Sequence, residues 1–593
     1  MKVSDYVFTF LKSKGVSEVF MLPGGGAMHL VDSLGGSGID YICFEHEQGA
    51  AIAAEAYGQH TNTPGVLLTT SGPGATNAIT GVTAGWIDST PMFIISGQAK
   101  RSDLIGETGV RQIGSQEVQI VPMVTPITKY AVQIMDPLEI RYHLEKAWYL
   151  ATNGRPGPVW LSIPLDVQCA EIDTVKTEEM VYIPEEPAGA SEEEIEKAAK
   201  AAFNLLTSSK RPLILLGNGI KLSGATEKAY ELIEKMDLPA QTTWKTIDML
   251  AEDDPHYVGH PGGMGDRGAN LILQQCDLLL SVGSRLDTSL TAFNDANFAK
   301  NAKKIIVDID KNELLRMKMD KEIQISCDAG LFLEMLLKEI GERKFNNSEW
   351  VKECKNLREK YPVVTEEYRE KTEYVSAFYF TEKLCELLQN DDVIVPESSG
   401  GAGEITYQAF KIKKGQKMKN AAGLGSMGFG LPYAIGSCVA NDKRRTILIN
   451  GDGAFQLNIQ ELETLHRLKL PVKMFIWNNG GYVSIRNMQG GNFGRFVACD
   501  PESGYSTPDI SKVANAYGFK TCKIMNNAEV DTLLPKLLQD DTPVLCEVIV
   551  DPKEGAKPRC RARRNEQGMI VSDPLEDMWP YISDEMTPPL SKA

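Results

Sequence analysis

The residues best suited to metal chemistry follow two successive apolar stretches in the last third of the chain. The first stretch leads into Gly451-Asp452-Gly453-Ala454 and the second into Asn478-Asn479-Gly480-Gly481. Consecutive strands of a parallel sheet end at one edge, so Asp452 and Asn479 are expected to lie close together. A carboxylate, an amide oxygen and the backbone carbonyl of Gly481 are hard oxygen ligands that suit Mg²⁺.

The same unit also predicts a phosphate site. Backbone N–H groups of Gly451, Gly453 and Ala454 open the next helix, where a diphosphate can approach closely and complete the octahedron around the ion. Each half alone fits a helix cap or a turn equally well. Asn479 follows Asp452 by 27 positions across one strand-helix-strand unit, and this combination is much more specific than either half.

The pattern resembles the thiamine diphosphate signature, in which Gly-Asp-Gly is followed by Asn-Asn at about this separation. Further motifs resemble the acetohydroxyacid (acetolactate) synthase family, in that family's order and over almost the whole chain. They are FEHEQGAA at 44–51, TSGPGATN at 70–77, DSTP at 88–91, RPGPV at 155–159 and GLGSMGFGLP at 423–432. The resemblance implies three doubly wound, parallel-sheet α/β domains, with a site shared between two chains.

The resemblance also assigns roles around the cofactor. Glu47 matches the catalytic glutamate, which hydrogen-bonds a ring nitrogen of thiamine diphosphate and so activates it. Gln116 matches the family's active-site glutamine. Gly425 and Met427 belong to the motif that contacts the cofactor, and Met427 supports its bent conformation. From the residues alone, Glu47 also fits a helix-surface carboxylate, His46 a packing residue and Met427 an ordinary core side chain.

The central part of the chain resembles the family's flavin-binding domain. Arg285, within SVGSRLD, and Asp308, within DID, match its pattern, which implies FAD. The alternative is a flavin-free spacer domain, as in related thiamine enzymes. The run 423–428 formally matches a dinucleotide fingerprint, but no apolar strand precedes it, so that interpretation is rejected.

Three positions depart from the family. Ser289 stands where the family has a second arginine, Met488 where it has a tryptophan, and Ser115 where it has a phenylalanine. All three fall on groups that handle the acceptor, and losing an arginine removes a strong carboxylate contact. We therefore expect intact cofactor activation and weaker handling of a second 2-oxo acid, unless Arg486 supplies the missing charge.

The predicted reaction is decarboxylation of a 2-oxo acid, pyruvate in the first instance, with transfer of the acyl unit to a carbonyl acceptor. A second hypothesis is acetyl transfer to a keto nucleotide sugar, whose diphosphate would meet the basic run Lys557, Arg559, Arg561, Arg563 and Arg564. That run also fits a solvated tail or an inter-subunit strap. A simple decarboxylase is disfavoured by the lack of a His-His pair, and a non-catalytic relative by the intact cofactor residues.

The surrounding sequence predicts elements that position these residues. Short apolar strands alternate with glycine-rich turns and helical stretches in three segments, which indicates parallel sheets covered by helices. We place a pyrimidine-binding domain at 1–170, a central, flavin-type domain at 190–345, a diphosphate-binding domain at 370–560 and a tail at 561–593. A polar linker over 171–193 and a charged helical linker over 332–372 separate the domains.

The composition of the chain disfavours several classes of function. A formal net charge of −17 disfavours nucleic acid binding. The 11 cysteines lack CxxC spacing and fit a reducing compartment. The uncharged stretch 61–87 contains prolines and glycines, which argues against a membrane span. We expect a soluble, cytoplasmic homodimer or homotetramer whose partners are small-molecule substrates.

Overall fold

The computed structural model describes residues 1–185, 189–564 and 567–582. Within these ranges, three parallel sheets of six, five and six strands follow one another along the chain. The predicted fold class, three doubly wound α/β domains, is confirmed. Most strands are buried along their length because helices cover both faces of each sheet, which explains why they read as continuous apolar runs.

The first sheet has the spatial order β2-β1-β3-β4-β6-β5. Its strands are β1 Glu18–Met21, β2 Asp40–Cys43, β3 Gly65–Thr69, β4 Met92–Gln98, β5 Tyr130–Gln133 and β6 Pro158–Pro164. Its helices are α1 Val3–Ser13, α2 Met28–Ser37, α3 Glu47–Thr61, α4 Pro73–Asn77, α5 Ile79–Asp88, α6 Ile120–Val124, α7 Ile140–Thr152, α8 Leu165–Gln168 and α9 Thr174–Glu179. Helix α9 lies within the segment predicted as a polar linker.

The central sheet has the order β11-β10-β9-β7-β8. Its strands are β7 Pro212–Leu216, β8 Ala240–Thr242, β9 Leu278–Val282, β10 Lys303–Asp308 and β11 Ile323–Ser326. Its helices are α10 Glu192–Ser208, α11 Asn218–Leu222, α12 Thr226–Met236, α13 Arg267–Gln275, α14 Lys311–Arg316 and α15 Ala329–Ile340. Two more helices, α16 Ser348–Lys360 and α17 Glu366–Arg369, lie in the predicted helical linker. Helix α16 packs on the central domain, where Trp350 Nε1 donates to Pro212 O at 3.0 Å.

The third sheet has the order β13-β12-β14-β15-β17-β16. Its strands are β12 Val393–Pro396, β13 Lys417–Met418, β14 Thr446–Gly451, β15 Val472–Asn478, β16 Lys520–Ile524 and β17 Val544–Ile549. Its helices are α18 Ala377–Leu387, α19 Gly401–Ala409, α20 Gly430–Ala440, α21 Asp452–Phe455, α22 Glu461–Leu468, α23 Val483–Asn492, α24 Ile510–Ala516 and α25 Asn527–Leu537. Strands β14 and β15 pair in parallel, so their C-terminal ends are adjacent.

The C-terminal segment runs back onto the central domain. It forms the antiparallel pair β18 Ala562–Arg564 and β19 Ile570–Ser572. Arg267 Nη1 donates to Met578 O at 3.1 Å, and the side chain of Met578 is fully buried. In the basic run, Lys557 pairs with Glu367 and the Arg561 guanidinium lies 3.5 Å from the ring centroid of Trp579. These two residues therefore contact their own chain, whereas the side chains of Arg563 and Arg564 lie outside the described part.

The three domains meet in a polar junction. Lys245 Nζ of the central domain bonds Asp88 Oδ2 of the first domain at 2.8 Å and Asn420 O of the third at 2.8 Å. Trp244 stacks on Tyr407 with ring centroids 5.0 Å apart. None of the helices in the described ranges combines the length and apolarity that crossing a membrane requires.

Candidate active site

The loop that carries Asn479 lies next to Asp452 at the edge of the third sheet, where β14 and β15 end side by side. Asp452 begins α21 directly after β14, and its Oδ2 accepts the Gly481 N–H at 2.9 Å. Asp452 Oδ1 and Asn479 Oδ1 are buried and have no hydrogen-bond partner among the described residues. Burial raises the pKa of Asp452 to about 7. A cation between these oxygens would satisfy both and restore the charged carboxylate, so the donor set fits Mg²⁺.

The glycines at this sheet edge differ in how much space surrounds their Cα atoms. A Cβ on Gly453 would lie 2.4 Å from Tyr482 Cε1, and one on Gly481 would lie 2.3 Å from Cys499 O. Gly481 also has a φ of +138°, which favours glycine. A Cβ on Gly451 would meet nothing within 4 Å. Protein packing therefore demands Gly453 and Gly481, whereas Gly451 leaves open space beside the helix start where a diphosphate is expected.

Arg486 lies next to this edge. One of its Nη atoms donates to the Asn479 carbonyl at 3.0 Å, and its Nε is buried without a hydrogen-bond partner in the described chain. Its charge acts to lower the pKa of Asp452, against the larger effect of burial. Arg486 thus holds the loop that carries Asn479 and Gly481, and it places its own positive charge beside the site.

The glycine-rich motif forms a loop that leads into α20. Gly425 and Gly428 have φ of +62° and +87°, and Gly428 O accepts from Asn458 Nδ2 at 2.7 Å. Met427 is 39% exposed, so the interpretation as an ordinary core methionine is wrong. Its side chain is free to contact a ligand beside the loop.

A buried carboxylate that the sequence analysis missed supports this loop. Glu397 follows β12, is fully buried, and accepts from the N–H groups of Ser398 and Gly430 at 2.9 and 3.1 Å. Burial raises its pKa to about 7. In the sequence Glu397 is a single glutamate after an apolar strand. Many ordinary strand ends have this pattern, so the local sequence did not identify it as a buried carboxylate.

Glu47 is the first residue of α3 and is only 7% exposed. It is therefore not a helix-surface carboxylate. Its Oε2 accepts from Asn77 Nδ2 at 3.0 Å, and a Cβ on Gly74 would lie 3.2 Å from its Oε1. The TSGPGATN motif thus supplies both the hydrogen bond and the clearance for this carboxylate. His46 caps α3 through Nδ1, which accepts the Gln48 N–H at 3.0 Å, in keeping with a packing role.

Helix α3 is anchored to the diphosphate-binding domain of the same chain. Asn458 Nδ2 donates to Gln48 Oε1 at 3.1 Å, and Glu461 Oε2 accepts the Glu45 N–H at 3.2 Å. A Cβ on Gly436 of α20 would lie 2.3 Å from Ala53 O, so the two helices approach at backbone distance. Helix α3, which begins at Glu47, is therefore held by contacts from both domains.

Gln116 lies on an exposed loop between β4 and α6. Its φ is +58°, and a Cβ on Gly72 would lie 2.4 Å from its carbonyl oxygen. The buried Glu117 organises the loop by accepting the Ile105 N–H at 2.6 Å and the Ile113 N–H at 3.0 Å. Gln116 is thus placed beside the TSGPGATN motif, and Ser115 next to it is also exposed.

The three positions that depart from the family lie in three different places. Ser289 lines a cavity of the central domain, Met488 is 49% exposed on α23, and Ser115 lies on the Gln116 loop. No hydrogen bond connects them within the described part of the chain. All three are exposed in a single chain.

The cavity that contains Ser289 has a volume of about 310 Å³ and also contains both predicted flavin residues, Arg285 and Asp308. Arg285 Nη1 donates to Ile87 O of the first domain at 2.8 Å. Asp308 is buried, which raises its pKa, and it accepts the Asp310 N–H at 2.9 Å. The volume falls at the lower end of that of small-molecule sites, and the lining combines polar groups with apolar surface.

Comparison with known proteins agrees with this architecture. Three family models match the chain in order, all described as thiamine pyrophosphate enzyme domains. The N-terminal TPP-binding domain matches residues 1–121, the central domain residues 199–336 and the C-terminal TPP-binding domain residues 399–548.

Curated relatives match over nearly the full length. The probable acetolactate synthase large subunit of Methanocaldococcus jannaschii is 33% identical, with 93% of each chain covered. The acetolactate synthase large subunit of Lactococcus lactis is 31% identical over 96% of each chain. The isozyme 2 large subunit of Escherichia coli is 30% identical, with 94% of this chain and 97% of the relative covered.

Proposed function

The chain belongs to the family of thiamine diphosphate enzymes that includes the acetolactate synthase large subunits, and on this basis we propose that pyruvate is its acyl donor and a second 2-oxo acid its acceptor. The single observation that carries the proposal is the pair of buried oxygens of Asp452 and Asn479 at one sheet edge, which have no partner in the part of the chain that the structure describes. Full-length similarity to acetolactate synthases favours this carboligase reaction over keto-sugar transfer, simple decarboxylation and a non-catalytic role.

The proposed metal ligands are Asp452 Oδ1, Asn479 Oδ1 and the Gly481 carbonyl. The helix start at Gly451, Gly453 and Ala454 receives the diphosphate, because the first N–H groups of a helix have no carbonyl partner within it and favour an anion. When bound, thiamine diphosphate supplies the nucleophile for the 2-oxo carbonyl and the electron sink for loss of CO₂.

The remaining roles belong to side chains of this protein. Glu47 shares a proton with a ring nitrogen of the cofactor, while the hydrogen bond from Asn77 fixes the carboxylate orientation. Met427 and the Gly425 turn support the cofactor from the loop. Arg486 offers a cation for a substrate carboxylate, and Gln116 contacts the reacting groups from the opposite loop.

A product assay tests the proposal. The protein is incubated with thiamine diphosphate, Mg²⁺ and pyruvate, and CO₂, acetolactate and acetaldehyde are quantified by mass spectrometry. Acetolactate is expected as the main product beside CO₂, with acetaldehyde as a minor product. Acetaldehyde alone identifies a simple decarboxylase, product only with added keto nucleotide sugar identifies the keto-sugar transferase, and no product in any case contradicts catalysis.

The central cavity is the proposed site of FAD, with Arg285 and Asp308 as contacts. The acetolactate reaction transfers no net electrons, so the flavin has a structural role. Purified protein is expected to show flavin absorbance, or to acquire it on reconstitution with FAD. A protein that stays colourless after reconstitution contradicts this part of the proposal.

We also propose a cytoplasmic homodimer or homotetramer. The exposure of Ser115, Ser289 and Met488 in one chain supports a site completed by a second chain. Light scattering at assay concentration is expected to give at least a dimer, and an active monomer contradicts it.

A further inference from the structure

The loop from Asn478 to Gly481 presents two of the three proposed metal ligands. Two glycines with positive φ leave this loop little intrinsic rigidity. Its shape is held by three contacts: Gly481 N–H to Asp452, Arg486 to the Asn479 carbonyl, and Gly480 N–H to Asn478 Oδ1 at 3.0 Å. The last is a side-chain turn, so it depends on which way the Asn478 amide faces.

The orientation of that amide is set by a carboxylate from the neighbouring strand. Asn478 Nδ2 donates to Glu547 Oε1 at 2.6 Å. Glu547 lies on β17, which pairs with β15, and its side chain is only 6% exposed. Its other oxygen lies 3.2 Å from Lys523 Nζ on β16. A half-exposed lysine thus neutralises the carboxylate, and an amide connects it to the ligand loop.

A carboxylate is the side chain that best fixes this amide. Ionised Glu547 only accepts hydrogen bonds, so it requires the NH₂ group of Asn478 to face β17. The amide oxygen must then face the Gly480 N–H. The flipped amide would place an oxygen against the carboxylate and an NH₂ against the N–H, and both contacts would be repulsive.

We propose that Glu547 is a positioning residue for the metal site: through Asn478 it fixes the loop that carries Asn479 and Gly481. This inference rests on the proposed function, because it takes Mg²⁺ at Asp452, Asn479 and Gly481 as its premise. Glu547 touches neither the ion nor the substrate. Its effect is expected on metal affinity first and on turnover only through it.

Four variants test the inference: Glu547→Gln, Glu547→Leu, Asn478→Ala and the double variant Glu547→Leu with Asn478→Ala. Mn²⁺ replaces Mg²⁺, and its dissociation constant is measured by electron paramagnetic resonance with thiamine diphosphate present. Glu547→Leu and Asn478→Ala should each weaken Mn²⁺ binding by about 10–100-fold, the usual effect of losing an outer-shell contact. The double variant should lose no more than either single one, because the two residues act in series.

Two variants, Glu547→Gln and Lys523→Gln, distinguish a loss of loop positioning from a general loss of protein stability. Glu547→Gln keeps an acceptor for Asn478, so it should lie within a few-fold of the wild type. Lys523→Gln removes the ion pair but not the amide contact and should behave likewise. Turnover of Glu547→Leu should recover at high Mg²⁺, whereas a merely structural defect would lower the apo-protein melting temperature without such rescue.

The outcomes are distinguishable. Wild-type protein that does not bind Mn²⁺ with the cofactor contradicts the proposed function. Wild-type binding with unchanged affinity in Glu547→Leu and Asn478→Ala contradicts the positioning role. Additive losses in the double variant also contradict it, since the residues would then act independently. If Glu547→Leu does not fold, two variants remain. Asn478→Ala then tests whether the amide positions the loop, and Glu547→Gln tests whether the charge of Glu547 is needed.

Discussion

The two ends of the candidate site differ in how completely one chain builds them. At the metal end, Asp452 and Asn479 are fixed by hydrogen bonds from Gly481 and Arg486, and their free oxygens are buried. At the acceptor end, Ser115 and Met488 are exposed on different elements, and Ser289 lies in the central cavity.

This difference indicates separate origins for affinity and specificity. Cofactor binding needs fixed charges and close backbone approach, which a folded sheet edge supplies in advance. Acceptor choice depends on surfaces that a single chain leaves open. Substitutions at the metal end should therefore affect the whole reaction, whereas substitutions at the acceptor end should change only the product ratio.

The largest effect is expected for Asp452→Ala. This change removes the charged ligand of the ion, so binding of thiamine diphosphate with Mg²⁺ should be lost. Isothermal titration calorimetry measures it directly. Asp500→Ala is the control, because the Asp500 backbone lies beside Gly481 whereas its carboxylate accepts the Ser503 N–H. Cofactor affinity equal to that of the wild type would sink the metal assignment.

Glu47→Gln should bind the cofactor but lower kcat by about 10²–10⁴-fold, the usual range for a positioned acid-base group. The amide keeps the shape and can accept from Asn77, but it shares a proton poorly with the ring nitrogen. Steady-state kinetics with pyruvate measures the loss, and calorimetry confirms that binding is retained. Near-normal turnover would show that another group activates the cofactor.

Much of the metal end could be predicted because its signals are local. Gly-Asp-Gly and Asn-Asn each end an apolar strand, and strand ends of a parallel sheet meet at one edge. Arg285 and Asp308 meet in one cavity for the same reason, since Arg285 follows β9 and Asp308 ends the neighbouring strand β10.

The supporting carboxylates could not be predicted in this way. Glu547 lies 69 positions from its partner Asn478, and nothing local distinguishes it from any glutamate in a strand. Glu397 and Glu461 are likewise single carboxylates whose partners come from other segments. The positions of Ser289, Met488 and Ser115 relative to one another depend on domain packing, which neither periodicity nor spacing encodes.

A smaller effect is expected at the acceptor end. Ser289→Arg restores the charge that the family has there, so it should raise the ratio of acetolactate to acetaldehyde by about tenfold, equivalent to about 1.4 kcal/mol. Ser289→Gln is the matched control, since it adds length without charge and should leave the ratio unchanged. Product analysis from pyruvate checks both. Equal ratios in all three proteins would place acceptor recognition elsewhere, with Arg486 as the first residue to test.

The last effect concerns stability rather than turnover, at the junction that holds α3 between the domains. Glu55 is fully buried on α3, where its Oε1 accepts from Thr90 Oγ1 at 2.7 Å and its Oε2 has no partner among the described residues. Burial raises its pKa to about 7, although the nearby Lys245 acts in the opposite direction.

The folded protein therefore binds a proton at Glu55 that the unfolded chain has already released between pH 4.5 and about 7. Stability contributed by the protonated form is present at low pH and is lost as the pH rises through this window. Glu55→Gln keeps an acceptor for Thr90 but carries no charge, so it should raise the melting temperature at pH 8 by a few degrees, about 1–3 kcal/mol. At pH 5 the variant and the wild type should melt together. Thermal unfolding of the apo-protein at both pH values measures this, and an equal shift at pH 5 and pH 8 would show that packing rather than charge causes it.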